Sequence, residues 1–299
     1  MYVVLGASGN TGGVVARSLL ARKHRVRVVG RDAAHLKSLA SEGAEVFVSD
    51  ITNAASLSQA FNKADAAYVM VPPNPTSDDF RGYQNRVTDA IATAATNAGL
   101  KNIVSLSSFG ADKGSGTGPV AGLHELEQKL NQVDGANVLH LRAGYFMENT
   151  LPQVGAIRMA GSTVGPLRPD LKLPFIATSD IGAAAADALL GLAFKGKQTH
   201  ELQGQRDLDY TEIAAIIGKA IGKPDLGYIQ APDEQIRAAF LQMGMSENFV
   251  GLMLEMCVAL NNGHMRTLEP RTSKNTTPTK YETFVAEKFV PAFEQKAAA

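Results

Sequence analysis

The chain has 299 residues, 45% of them apolar, which is enough for one large core or two smaller ones. Lys plus Arg and Asp plus Glu number 29 each, so the formal net charge is zero, and this balance argues against nucleic acid or an anionic membrane as the main partner. The single cysteine, Cys257, excludes an intrachain disulfide, and the apolar run around it marks it as a buried, inert thiol.

From the N-terminus, Tyr2–Leu5 predicts a buried strand and residues 14–20 a helix. Strands are expected at 25–29, 45–48 and 67–71, with helices at 33–39 and 55–61 between them. Phe80, Tyr83, Val87, Ile91, Ala94 and Ala98 recur at three-to-four spacing, the mark of an amphipathic helix. A fifth strand is expected at 102–106 and a sixth at 137–141, separated by a helix carrying Leu123, Leu126, Leu130 and Val133. Alternating strands and helices predict an α/β fold with a doubly wound parallel sheet and right-handed crossovers.

After about residue 142 the rhythm changes. Pro152, Gly155, Gly161, Gly165, Pro166, Pro169 and Pro174 punctuate a loop-rich stretch. A helix follows at 180–192, then a short strand at 201–202. A helix at 211–221 stops at Gly222 with Pro224 beyond. Further helices are expected at 233–243, 249–260 and 281–293. The expected organisation is a dinucleotide-binding domain over 1–150, completed by 176–204, with a smaller, mostly helical substrate-side lobe over 151–175 and 205–299. No basic-then-apolar leader follows Met1, and the apolar stretch 181–194, broken by Asp187 and Gly191, is shorter than the ~20 residues of a membrane span. A cytoplasmic protein with no membrane partner is the default expectation, and a homodimer is compatible with the sequence.

The first strand runs straight into Gly6-Ala7-Ser8-Gly9-Asn10-Thr11-Gly12, which opens the first helix. Glycines at this spacing permit a tight turn, close approach of backbone to a pyrophosphate, and close helix–strand packing. The helix N-terminus then offers free N–H groups and a positive dipole end to phosphate. A strand before and a helix after, within a repeated βαβ series, give the spacing its weight. Two glycine-rich segments do not qualify. Gly191 to Lys197 imitates a P-loop, but Gln198 stands where Ser or Thr would hold magnesium, and a helix precedes it. Gly114 to Gly118 predicts a flexible loop or lid beside the site.

Cofactor choice is commonly made at the end of the second strand, here Val28-Val29-Gly30-Arg31-Asp32. Gly30 leaves room where an acid would hold a ribose hydroxyl, and Arg31 can pair a 2′-phosphate through its planar fork. Asp32 is placed to cap the next helix. NADP(H) is therefore expected rather than NAD(H).

With these residues in place, the chain resembles the NmrA-like group of atypical short-chain dehydrogenases over nearly its whole length. The marks are the glycine turn, Gly30-Arg31, Ser105 to Ala111, His124-Glu125-Leu126-Glu127, Leu141 to Asn149, Asp180-Ile181-Gly182 and Thr276 to Thr279. The group includes bacterial quinone reductases, triphenylmethane reductase and cofactor-binding regulators. The resemblance implies a Rossmann-type fold. It also implies cofactor contacts at Gly6, Ser8, Gly9, Asn10, Thr11 and Gly12, at Arg31, Asp50 and Ile51, and at Val71, Pro72 and Pro73. Ser107, Ser108, Tyr145, Phe146 and Asn149 complete the implied set. In one respect the chain departs from the group. Relatives often carry His or Lys four residues before the helix glutamate; that place is Leu123 here, with His124 one step off.

None of the seven tyrosines has a lysine four places on, so the usual tyrosine–lysine acid of short-chain dehydrogenases is absent. No His-x3-His or Cys-x2-Cys spacing suggests a metal, and no Gly-x-Ser-x-Gly elbow occurs. An electron-poor acceptor such as a quinone needs little more than a positioned hydride donor. A reductase of such a small apolar acceptor is thus the first expectation, with His124 and Tyr145 as candidate proton donors. His124, Glu127, Gln128 and Asn131 share a helix face that either meets the cofactor or is solvated. Phe146 and Met147 are pocket wall or core, and Met243, Met245, Met253 and Met256 are core or an adaptable pocket lining. The rival reading is an NADP(H) sensor without catalysis, distinguished by whether the space over the cofactor is open or filled. A sugar-nucleotide epimerase is disfavoured by the missing lysine.

Overall fold

The computed structural model describes residues 1–295. The chain first alternates β1 (Tyr2–Leu5), α1 (Asn10–Ala21), β2 (Val26–Gly30), α2 (Lys37–Ser41), β3 (Glu45–Val48), α3 (Ala54–Phe61), β4 (Ala66–Val69), α4 (Phe80–Asn97), β5 (Asn102–Ser108), α5 (Ala121–Asn131) and β6 (Asn137–Ala143). Then follow β7 (Tyr145–Phe146), α6 (Gln153–Ala160), β8 (Thr163–Gly165), β9 (Leu173–Ile176), α7 (Thr178–Gly191) and β10 (Lys197–Leu202). The remainder is β11 (Asp207–Leu208), α8 (Tyr210–Ala220), β12 (Tyr228–Gln230), α9 (Asp233–Gln242), α10 (Glu247–Asn261), α11 (Tyr281–Phe284) and α12 (Val290–Glu294), the last two joined by the π-wound segment Val285–Phe289.

Seven parallel strands form the main sheet in the order β10-β6-β5-β4-β1-β2-β3. Val3, Val4 and Leu5 are all fully buried, because successive side chains of β1 enter different layers. Val4 packs with Val15, Leu19, Ile181 and Leu189 of α1 and α7. Val3 and Leu5 pack with Leu57, Val87, Ile91 and Leu126 of α3, α4 and α5. Helices thus cover both faces, and the strand order reverses between β1 and β4. In a doubly wound sheet, the crevice for a ligand opens there, at the carboxyl ends of the strands.

Several elements differ from expectation. The strand expected at 67–71 stops at Val69, which frees Met70 and Val71 to leave the sheet. The fifth strand runs on to Ser108, and the short strand at 201–202 is a six-residue edge strand paired to β6. The stretch that reads as loop holds β7, β8, β9 and α6. These strands span two to four residues, too few for alternation to show, and they pair mostly with distant segments: β9 with β7 and β11, β8 with β12. A second core under them gathers Phe175, Ile213, Tyr281, Phe284 and Phe289. No helix among the described residues is long and apolar enough to cross a membrane.

Candidate active site

The glycine turn is shaped by atoms that leave no room for side chains. Gly6 has φ +66°, and a Cβ there would fall 2.8 Å from Met70 Sδ. A Cβ on Gly12 would fall 2.4 Å from the Gly6 carbonyl oxygen, so helix and strand meet only because that atom is missing. Gly9, the residue before α1, is extended and offers no side-chain cap. The first-turn N–H groups of Asn10, Thr11 and Gly12 therefore stay available at the positive end of the helix. The Thr11 hydroxyl accepts a 2.9 Å hydrogen bond from Tyr68 Oη inside the protein, which ties the first turn of α1 to β4. An open, uncapped cradle with no acidic residue in its first turn fits a pyrophosphate.

Beside the turn, Ser8, Arg31, Asp32 and His35 line a recess of about 350 Å³. Gly30 allows Leu36 to pack fully buried against β2; a Cβ on Gly30 would lie 3.1 Å from Leu36 Cδ1. With Leu36 turned in, its neighbour His35 faces out into the recess. The Asp32 carboxylate accepts the Ala34 N–H at 2.8 Å and so fixes this turn. Asp50 lies close by. Its carboxylate accepts from Thr52 N at 2.8 Å and Thr52 Oγ1 at 2.7 Å, and these bonds, with help from Arg31, hold it below the usual carboxylate range. Burial pushes the Tyr83 hydroxyl up, while Arg31 pulls against that rise. Tyr83 belongs to this corner and was not singled out in the sequence.

Across Met70 the crevice opens into a cavity of about 400 Å³ between the strand ends and α10. Its wall combines thioethers (Met70, Met253, Met256, Met265) with aromatic rings (Phe80, Phe109, Phe146, Phe249). Five polar side chains reach it: Gln84, Ser107, Ser108, Tyr145 and Asn149. Three of these are already committed. Gln84 donates to the Pro119 carbonyl at 2.9 Å and accepts from Arg81 at 3.2 Å. Ser107 donates to Glu127 at 2.6 Å, and Ser108 to the Phe109 carbonyl at 2.9 Å. Tyr145 and Asn149 remain. Burial pushes the Tyr145 hydroxyl up to about 12, with Tyr210 and Asn149 beside it opposing the rise. Behind it, Phe175 stands edge-on at 5.2 Å, and burial likewise lifts the Cys257 thiol to about 12.

The expected residues thus fall into two groups that touch. Gly6, Ser8, Gly9, Asn10, Thr11 and Gly12 form the turn, Arg31 lines the recess with Ser8, Asp50 feels the charge of Arg31, and Ile51 packs on the core side of α3 and α4. Val71, Pro73, Ser107, Ser108, Tyr145, Phe146 and Asn149 line the cavity; Pro72 lies beside them without lining it. His124 does not line the cavity. Its Nδ1 sits 2.9 Å from the Ala111 carbonyl, and Leu123 faces the cavity instead.

One expectation for α5 needs correction. The polar edge of α5 is neither open to a cofactor nor solvated along its length. Glu127 is 2% exposed and receives Arg142 through a two-pronged pair at 2.9 and 2.6 Å. Asn131 Oδ1 is 3.0 Å from the buried His140. The Gly114 to Gly118 loop is exposed over its first three residues and anchored at its end: Thr117 is fully buried, and a Cβ on Gly118 would fall 2.0 Å from the Leu252 carbonyl. The ambiguous apolar residues divide. Phe146, Met253 and Met256 line the cavity, Met147 is core, and Met243 is 60% exposed. Met70, Gln84, Phe249 and Met265 were missed. Gln84 alone left a signal, as a polar residue on the apolar stripe of α4.

Known proteins align with this picture. The chain matches the family described as the NmrA-like family over residues 2–287. It is 30% identical over 256 residues, 86% of either chain, to an NAD(P)H azoreductase of Xenophilus azovorans. The structure superposes on an NADPH-dependent quinone oxidoreductase of Escherichia coli, crystallised with NADPH, at TM-score 0.80 and 24% identity, covering 98% of this chain and 100% of that one. It superposes on the Citrobacter sp. triphenylmethane reductase crystallised with NADP(H) at TM-score 0.77 and 20% identity, covering 96% and 100%. At such identities the two structures establish a shared fold.

Proposed function

Because this chain belongs to the NmrA-like family, we propose that it is an NADPH-dependent reductase of a small, apolar, electron-poor acceptor such as a quinone. The observation that carries this reading is the open apolar cavity of about 400 Å³ that adjoins the glycine turn through Met70. A pure sensor has no use for such a space, and a filled one would have favoured it. The azoreductase relative, named for NAD(P)H, adds support.

The first-turn N–H groups of α1 bind the pyrophosphate, and the Arg31 recess takes a 2′-phosphate. When bound, the cofactor supplies a hydride, two electrons and one proton's nucleus, to the acceptor. The thioether and aromatic wall holds a flat acceptor in place and excludes water. Tyr145, raised to about 12, stays protonated at neutral pH. It donates a hydrogen bond to the acceptor instead of acting as a base. A quinone reduced by hydride becomes a stable hydroquinone anion, so solvent can deliver the second proton. That tolerance explains how the site works without a tyrosine–lysine acid and with Leu123, not a cation, facing the cavity. His124 braces the Ala111 carbonyl and acts on the wall rather than on the acceptor.

Steady-state NADPH oxidation against a panel of quinones tests the reading. Turnover with neutral quinones is expected. Tight NADPH binding with no turnover of any acceptor would overturn it and restore the sensor.

A further inference from the structure

The acceptor cavity is selective in a way its size does not explain. Among the described residues, not one Asp, Glu, Lys, Arg or His lines it. Behind the polar wall residues, Glu127 accepts from Ser107 and is closed by Arg142, while Arg81 donates to the Gln84 oxygen from outside the lining. The hydroxyl protons of Ser107 and Ser108 and one N–H of Gln84 are committed elsewhere, which leaves Tyr145, with Asn149 beside it, and a single Gln84 N–H as neutral partners for a ligand. The rest of the wall presents aromatic rings and thioether sulfurs. Ring faces carry negative quadrupole and attract cations but not anions.

Resting on the proposed reductase activity, we propose that this wall selects its acceptor by charge. It admits neutral planar aromatic acceptors and rejects those carrying an anionic group on the reacting ring, even where the anion is the stronger oxidant. An anionic ring would surrender its hydration and find no cation, whereas a neutral ring loses nothing it cannot recover from the wall. The redox step is the same for both: the acceptor gains a hydride from NADPH and one proton from solvent, giving hydroquinone and NADP. Only the cost of entry differs.

The test compares 2-methyl-1,4-naphthoquinone with 1,4-naphthoquinone-2-sulfonate, which share a ring system and differ in the group beside the carbonyl, a neutral methyl against a larger, anionic sulfonate. The expected kcat/KM for the sulfonate is lower by at least about 100-fold, since an uncompensated charge enters an apolar site. Calorimetric binding of each compound to protein loaded with a non-reducing tetrahydro analogue of NADPH, whose ring is uncharged, should show the same order, so selection is read even where hydride transfer is not. Met256→Lys places an ammonium in the wall and is expected to narrow the gap at least about tenfold in favour of the sulfonate. Comparable binding and turnover of the two compounds, within threefold, would overturn the proposal while leaving the reductase standing. Strong binding of the neutral compound with no turnover would instead overturn the reductase and keep the charge selection.

Discussion

The glycine turn and the cavity meet at Met70, yet they are built in opposite ways. The turn is local: residues 6 to 12 and the end of β2 are close in sequence, and what matters is atoms that are absent. At Gly12 a single added carbon would lie 2.4 Å from the Gly6 oxygen. The cavity is assembled from segments as distant as Met70 and Met265, and its wall is made of flexible thioethers and rings. Under the proposed reductase activity, recognition of the cofactor is strict and recognition of the acceptor is graded. A site of this design can keep one cofactor and change acceptors by side-chain substitution.

The largest expected effect falls on the sheet that carries both regions. His140 is buried between β5 and β6, with Ser105 Oγ 2.7 Å from Nδ1 and Asn131 Oδ1 3.0 Å from Nε2. Burial lowers it from 6.5 to about 4, so Nε2 donates to Asn131 and Nδ1 accepts from Ser105 in the neutral ring. Between those two pH values the unfolded chain binds a proton that the folded protein refuses. Stability is thus complete above pH 6.5 and falls as pH drops toward 4, by about 3 kcal/mol. Thermal unfolding from pH 7 to 4.5 should show this slope, and His140→Gln should flatten it. An unchanged slope in the variant would place the acid sensitivity elsewhere and leave both regions on a pH-indifferent floor.

Gly12→Ala tests the strict side. NADPH affinity should fall by about 100-fold, because strand and helix must part. A loss of only a few-fold would erase the contrast between the regions. Arg31→Ala should weaken NADPH binding by about 10- to 50-fold and NADH binding by less than about threefold, as expected for one charge-assisted contact to a 2′-phosphate. Equal losses would mean that Arg31 shapes the recess without reading the phosphate. On the graded side, Tyr145→Phe should lower kcat/KM for a quinone by up to about tenfold and leave NADPH affinity unchanged. A drop of several thousandfold would make Tyr145 an essential acid and undo the claim that solvent suffices.

The same contrast decides what could be seen in the sequence. The strand, turn and helix around Gly6 lie within thirty residues and carry their periodicity openly, as does the alternation that builds the sheet. Arg31 was legible because its place follows a strand end. The cavity was not, because its members share no spacing. Helical periodicity put His124, Glu127 and Asn131 on one face of α5, but not what lies over that face. Burying Glu127 required Arg142 from β6, a partner that only the folded sheet supplies. Leu123 was visible only as a departure from a resemblance, and Gln84 only as a polar intruder on an apolar stripe.

The central claim is that a cofactor held at the glycine turn reduces an acceptor lodged in the cavity next to it. Stopped-flow mixing of the NADPH-loaded protein with a neutral naphthoquinone tests this in a single turnover. NADPH should be consumed and hydroquinone formed at one common rate and in equal amounts, and Gly12→Ala, at an NADPH concentration that just saturates the parent protein, should lower both amounts together in line with its about 100-fold weaker binding. Tight binding of NADPH that survives exposure to the quinone unoxidised would contradict that claim.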